Sequence, residues 1–278
     1  MPKFAANLHY LFTEVAFMDR FGAAAAAGFK AVEFQVPYEY PSAQLRTALR
    51  EHELQMVLFD TPMGDWGAGD RGLAAIPGRE AEFRAGLPKA ADYARALDCE
   101  LVHVMAGVLQ GGADVANAER VYIDNLRYAA AFFKRHGVKA VIEPINRQHG
   151  LVRGGPSYTT EGMYGYFLHH SEQARRIIEQ VGSDNLFLHL DVYHMQLTEG
   201  RLTQTLTDCF GLLRHVQMAG VPGRHEPSVG EINYTYLFDV LDELGYEGWV
   251  GCEYRPQAGT LAGLGWGARY GIGVAPRK

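Results

Sequence analysis

A (β/α)8 barrel is the fold that this 278-residue chain predicts, and three observations carry the expectation. Eight short apolar runs recur along the sequence, segments of 3.6-residue periodicity stand between them, and two long Gly-rich stretches each follow an apolar run directly. Hydrophobic residues make up 47% of the chain, enough for one large core. Residues 1–278 are read as a single domain, because the Gly-rich stretches, the only candidate linkers, both follow a strand-like run directly.

The β-like runs open with FAANLH from Phe4, AVEFQV from Ala31, QMVLFD from Gln55 and LVHVMAG from Leu101. They continue with KAVIEPI from Lys139, LFLHLDVYH from Leu186, LRHVQMAG from Leu213 and GWVGCEYRP from Gly248. Between them, FMDRFGAAAAAGF is Ala-rich and ends on Gly28, and AERVYIDNLRYAAAFFKRHG carries apolar residues at helical spacing up to Gly137. SEQARRIIEQVG is expected to start with Ser171 as N-cap and to stop at Gly182. NYTYLFDVLDELG is expected to run from a capping Asn233 to Gly245.

The Gly-rich stretches are DTPMGDWGAGDRG from Asp60 and HGLVRGGPSYTTEGMYG from His149. In a barrel both fall among the loops at the C-terminal mouth, where they would act as lids over a site.

A formal charge of -6 supplies no basic patch for nucleic acid or an anionic membrane, so the expected partner is a small-molecule substrate. Cys99, Cys209 and Cys252 lack CxxC spacing, which speaks against a disulfide framework or a thiolate zinc site and favours the cytoplasm. The N-terminal residues do not read as an export signal, and no run approaches membrane-spanning length. GAGDRG lacks a dinucleotide fingerprint, and no P-loop or GxSxG elbow occurs. Acid/base work by carboxylates is what remains.

Glu143, Asp191, Gln217 and Glu253 each interrupt an apolar run that otherwise reads as a buried strand. Burying such carboxylates unpaired costs several kcal/mol, so a shared divalent cation is expected to repay it. Side-chain alternation puts His189, Asp191 and Tyr193 on one face of the sixth strand, and His215 and Gln217 on one face of the seventh. The four oxygen donors then meet at the mouth, and an all-oxygen set favours Mg2+ or Mn2+ over zinc.

His194, three residues beyond Asp191, is expected to contact substrate. Arg224 and His225, in the loop GVPGRHEPSVGEINY, are expected to hold a substrate carboxylate or carbonyl. His9 and His103 read as buried structural histidines, and Glu226 and Glu231 as surface residues.

EPINR from Glu143, LDVYHMQ from Leu190, HVQMAGVPGRHEP from His215, GEINY from Gly230 and the closing GWVGCEYRP resemble the hydroxypyruvate isomerase family nearly end to end. That family belongs with the xylose-isomerase-like TIM barrels, beside the 2-oxo-tetronate isomerases and the ketose 3-epimerases. The resemblance implies a divalent metal at Glu143, Asp191, Gln217 and Glu253, with Glu143 and Glu253 also serving as the acid/base pair. Related ketose epimerases have histidine where Gln217 stands, so glutamine favours a short 2-keto acid over a ketose.

The implied reaction is aldose–ketose isomerisation, hydroxypyruvate to tartronate semialdehyde, by metal-assisted proton transfer through an enediolate. A 2-oxo-tetronate isomerase, a ketose 3-epimerase and a non-catalytic sugar-binding barrel are the alternatives, and a metal-dependent endonuclease fits the charge poorly. The loop 149–165 is longer than the resemblance leads one to expect, which bears on substrate or on a contact between copies. Association into a homo-oligomer through the outer helices is compatible with the sequence.

Overall fold

Short runs rich in Val, Leu, Ile and Phe fit a strand buried on both faces, and such strands make parallel sheets under a helical layer. The computed structural model describes residues 1–151 and 159–273 of the chain. Its strands are β1 (Lys3–Asn7), β2 (Ala31–Glu33), β3 (Gln55–Met56), β4 (Phe59–Asp60), β5 (Leu101–His103) and β6 (Lys139–Ile142). There follow β7 (Gly150–Leu151), β8 (Thr159–Thr160), β9 (Leu186–Asp191), β10 (Leu213–Met218) and β11 (Trp249–Cys252).

Nine of these segments form one sheet in the order β3-β2-β1-β11-β10-β9-β6-β5-β4, with every pair parallel. The two ends of that order, β3 and β4, are the halves of the single run Gln55–Asp60, so the sheet closes on itself. All eight expected runs are present. The third is divided because its first half follows β2, with Val57 N–H donating to the Val32 carbonyl at 3.0 Å, while Thr61 N–H donates to His103 of the next strand at 2.8 Å.

The helical layer comprises α1 (Arg20–Ala26), α2 (Ser42–Glu51), α3 (Glu80–Leu97), α4 (Val115–Lys134), α5 (Ser171–Val181), α6 (Val192–Thr198), α7 (Leu202–Cys209), α8 (Tyr234–Glu243) and α9 (Thr260–Gly263). Their apolar faces cover the barrel: Leu87, Ala90 and Ala94 of α3 and Leu126, Ala130 and Phe133 of α4 are fully buried. Among the described residues no helix is long and apolar enough to cross a membrane.

Several helix ends follow the sequence expectation. Gly28 has φ +96°, and a side chain there would run into the Gly271 carbonyl. The Asn233 side chain accepts the Tyr236 N–H at 3.2 Å, capping α8. Ser171 differs: it is the first residue of α5, and His170 holds the cap position without a side-chain bond. The cap comes from far along the chain, since Glu199 accepts the Ser171 N–H at 2.5 Å and its hydroxyl at 2.7 Å.

The run from Leu186 also divides. The strand ends at Asp191 and α6 begins at Val192, so Tyr193 and His194 stand on a helix, and Tyr193 does not share a strand face with His189 and Asp191. Both Gly-rich loops leave strand ends at the mouth. The second includes the antiparallel pair β7–β8, and its residues 152–158 lie outside the described residues.

Candidate active site

Every strand of the barrel ends in a buried polar side chain at the mouth. They are Asn7, Glu33, Asp60, His103, Glu143, Asp191, Gln217 and Glu253, none more than 6% exposed. The register aligns neighbours: Asn7 faces Glu33, Asp60 faces His103, and Gln217 faces Asp191. The four residues read from the sequence form half of this ring, and Asn7, Glu33, Asp60 and His103 complete it.

Below the mouth a hydrogen-bonded chain fixes several of these groups. His215 Nε2 lies 2.6 Å from Glu33 Oε2, Gln217 Nε2 donates to Glu33 Oε1 at 2.6 Å, and Asn7 donates to the same oxygen at 3.0 Å. Gly251 leaves room for this carboxylate, because a Cβ there would collide with it. Gln217 Oε1 lies 2.7 Å from His189 Nε2, which puts the histidine proton on Nε2 and leaves Nδ1 as an acceptor.

That acceptor is buried with no hydrogen-bond partner and sits 3.6 Å from Glu143 Oε2. His103 Nδ1 is 3.7 Å from the same oxygen and is bonded to Asp60 at 3.0 Å. His194 Nε2 is 3.9 Å from Glu143 Oε1 and 3.5 Å from Asp191 Oδ2. Asn146 lies 2.6 Å from the other nitrogen of His194 and orients the ring. Glu143 is thus surrounded by imidazole nitrogens just beyond hydrogen-bond reach.

On the other side of the mouth, Glu253 accepts from Gln35, from Arg224 and from Asn7 at 3.3 Å. Arg224 also donates to Asp191 Oδ2 at 3.2 Å and reaches Glu161 at 3.5 Å. Its guanidinium lies 5.0 Å from the ring centres of both Tyr10 and Tyr193. His225 is turned instead to the Arg255 carbonyl, with Nδ1 at 2.9 Å. Glu226 is buried, contrary to its reading as surface, because it accepts the Gln257 N–H and packs against Gly263. Glu231 is exposed.

The ring holds five carboxylates, Glu33, Asp60, Glu143, Asp191 and Glu253, and the buried guanidinium of Arg224 pairs with only two of them, which leaves the site unbalanced. Burial, followed by the charges of Glu253 and Asp191, pushes the Glu143 carboxyl well above its ordinary range. Burial does the same to Glu253 against the opposing pull of Arg224, and it raises Asp191 to about 6. Burial holds His189 and His194 well below 6.5, so both are neutral donors or ligands.

Such a set fits a divalent cation. Donor atoms of Glu143, Asp191 and His194 lie within 4.8 Å of one another, as do those of His103, Glu143 and His189. An orphaned lone pair on His189 facing a carboxylate oxygen demands a proton or a cation between them. The sequence reading put imidazole outside the donor set, whereas the fold brings three imidazoles to Glu143. It missed Gln35 and Arg255 as well, which stand near the ends of the runs AVEFQV and GWVGCEYRP, and Glu161 in the second Gly-rich stretch. A separate groove of about 1390 Å3, lined in part by His170, Arg175, Glu199 and Arg201, lies between α5 and α7 and contains none of the mouth residues.

A family model described as xylose isomerase-like TIM barrel matches residues 21–270. The 2-oxo-tetronate isomerase of Cupriavidus necator is 49% identical over 266 residues, spanning 96% of this chain and 97% of that one. The hydroxypyruvate isomerase of Escherichia coli is 42% identical, spanning 96% and 98%. Among solved structures, a Brucella melitensis protein described as AP endonuclease, family 2, is 46% identical with a TM-score of 0.90, covering 97% of this chain and 99% of that one.

Proposed function

We propose, from the premise that the chain belongs to the xylose isomerase-like TIM barrel family, that this isomerase acts on a short 2-keto acid, with hydroxypyruvate and tartronate semialdehyde as the pair. The observation that carries the reading is the pair of buried glutamates, Glu143 and Glu253, on either side of Asp191 and Arg224. Relatives of 42–49% identity over nearly the whole chain are named isomerases of such acids.

The reaction moves one proton from C3 to C2 and one from the C3 oxygen to the C2 oxygen, through an enediolate. Glu143 and Glu253 are proposed for the carbon-bound proton, acting on opposite sides of the enediolate. A carboxyl raised toward neutrality is suited to alternate between base and acid. His194, whose Nε2 faces both Asp191 and Glu143, is placed to donate to a substrate oxygen. Arg224 is placed to neutralise the substrate carboxylate or the developing oxyanion.

A divalent cation, Mg2+ or Mn2+, is proposed at Glu143, Asp191 and Glu253, with His194 beside it as the donor, because its Nδ1 faces the Asn146 amide nitrogen and its Nε2 therefore carries the proton. When bound it supplies charge stabilisation to the reacting oxygens. Gln217, expected as a fourth ligand, has both ends of its amide engaged by His189 and Glu33. We therefore assign it to orienting His189. His225, bonded to a backbone carbonyl, supports the loop that carries Arg224. The cytoplasmic location is supported by three buried free cysteines.

A four-carbon acid is a second substrate to weigh, since the relative at 49% identity is named for 2-oxo-tetronate. Phosphodiester cleavage, suggested by the Brucella protein's description, would call for a cationic groove along a nucleic-acid backbone. A net charge of -6 and a mouth ringed by acids argue against it. The test is incubation with hydroxypyruvate, 2-oxo-tetronate, D-fructose and an abasic duplex, with and without chelator, followed by product analysis. Turnover of either keto acid, lost by roughly 10^2- to 10^4-fold in Glu143→Gln and Glu253→Gln, is the expected result. Turnover of the hexose or the duplex alone would overturn the reading.

A further inference from the structure

Arg255 stands at the entrance to the mouth, directly above Arg224. Its backbone N–H donates to the Arg224 carbonyl at 2.7 Å, so the loop after β10 and the segment after β11 are joined where their two arginines emerge. Both guanidinium carbons lie 5.0 Å from the centre of the Tyr10 ring. The two differ in exposure: the Arg255 side chain is 59% exposed and that of Arg224 6%.

One carboxylate bridges them. Glu161 Oε1 is paired with Arg255 Nε, and its Oε2 faces Arg224 NH1 at 3.5 Å. The backbone of Glu161 is held at both polar atoms: its N–H donates to the Tyr193 hydroxyl at 2.7 Å, and its carbonyl accepts from Asn146 at 2.8 Å. Its side chain can therefore leave the arginines by rotation alone, with the backbone in place.

A carboxylate across two guanidinium groups is also the arrangement by which a 2-keto acid would be gripped. Arg224 is already shared with Asp191 and Glu253, so a further anion needs a second cation, and Arg255 is that cation. We propose that Arg255, together with Arg224, forms the receptor for the substrate carboxylate, and that Glu161 occupies this receptor as an internal competitor until substrate displaces it. The inference deepens the keto-acid reading and rests on it for the identity of the substrate. It makes Arg255 and Glu161 determinants of acid over neutral sugar.

The test is a thermal-shift titration of the full chain with D-glycerate and with glycerol, which share a skeleton and differ in the carboxylate. Neither needs turnover, so the outcome is independent of which reaction the enzyme performs. The expected result is that Arg255→Met weakens D-glycerate by ~10- to 100-fold, the value of a charge-assisted bond, and leaves the glycerol response as in the wild type. Glu161→Gln is expected to tighten D-glycerate several-fold by removing the competitor. The Arg255 side chain is largely in solvent and Glu161→Gln keeps the shape of the side chain, so neither substitution disturbs the core.

Unaltered D-glycerate binding in Arg255→Met would overturn the proposal, as would a Glu161→Gln variant that binds D-glycerate more weakly than the wild type. Failure of the keto-acid reading has a different signature: hydroxypyruvate and 2-oxo-tetronate would not turn over, while the D-glycerate responses of the two variants persisted.

Discussion

The Asp191 carboxylate accepts the Tyr193 N–H at 2.9 Å, so the residue that ends β9 also caps α6. Its other oxygen faces Arg224 and His194. One carboxylate thus has a structural oxygen and a chemical one. Asparagine caps a helix about as well as aspartate, so Asp191→Asn is expected to keep the cap and lose turnover. Asp191→Ala should lose turnover too, and be less stable than Asp191→Asn by about 1 kcal/mol. Equal denaturation midpoints for the two variants would contradict the capping role.

Cation binding should be visible without any substrate. In chelator-treated protein, Mn2+ or Mg2+ at about a hundred times its dissociation constant is expected to raise stability by about 2.7 kcal/mol. Glu143→Gln should abolish most of this rise, since Glu143 belongs to both candidate donor groups. An unchanged melting temperature in the wild type across the titration would remove the cation from the account.

Gln217 links His189 to Glu33 by bonds of 2.7 and 2.6 Å in a fully enclosed position. Gln217→Leu keeps the volume and leaves both partners short of a hydrogen bond, at about 1–3 kcal/mol for each buried group. Urea denaturation should therefore show a loss of at least ~1 kcal/mol. A variant as stable as the wild type would mean that the chain of bonds contributes nothing to holding the ring.

Burial keeps the His189 imidazole neutral, well below 6.5, and the nearby His215 and His103 add to the effect. The unfolded chain takes up that proton near 6.5, whereas the folded chain does not, so the contribution is intact above 6.5 and is lost as pH falls below it. The buried carboxyls act in the opposite sense, Asp191 between its ordinary value and about 6. The difference between wild type and His189→Gln isolates the histidine. From about pH 7.5 to about 5.5, the wild type should lose stability relative to that variant; parallel curves would refute the assignment.

The architecture was legible because all eight strands are apolar runs separated by helical periodicity, whereas the divisions of Gln55–Asp60 and of the run from Leu186 were not. A run of uniform hydrophobicity carries no mark of where its partner changes. The site was half legible. Glu143, Asp191, Gln217 and Glu253 stood out as polar residues inside long runs, and the same test applied to Glu33 in AVEFQV and Asp60 in QMVLFD would have found them.

Three-dimensional approach, by contrast, leaves no trace in spacing. Nothing local says that His189, His103 and His194 converge on Glu143, or that Glu161 reaches Arg255 across 94 positions of sequence. Nor could the strand-like pattern LFLHLDVYH reveal that Asp191 starts a helix. Asp is a common cap, but its neighbours Val192 and Tyr193 favour strands.

The seam at Gln55–Asp60, where one run bonds β2 with its first half and β5 with its second, leaves the nine-segment sheet without an outer strand. A sheet with no edge offers no template on which a strand from another molecule can add. Self-association of this protein through the barrel sheet is thereby closed off, and copies that meet must do so through helix faces and loops, where Tyr236 of α8 and Tyr164 stand largely in solvent.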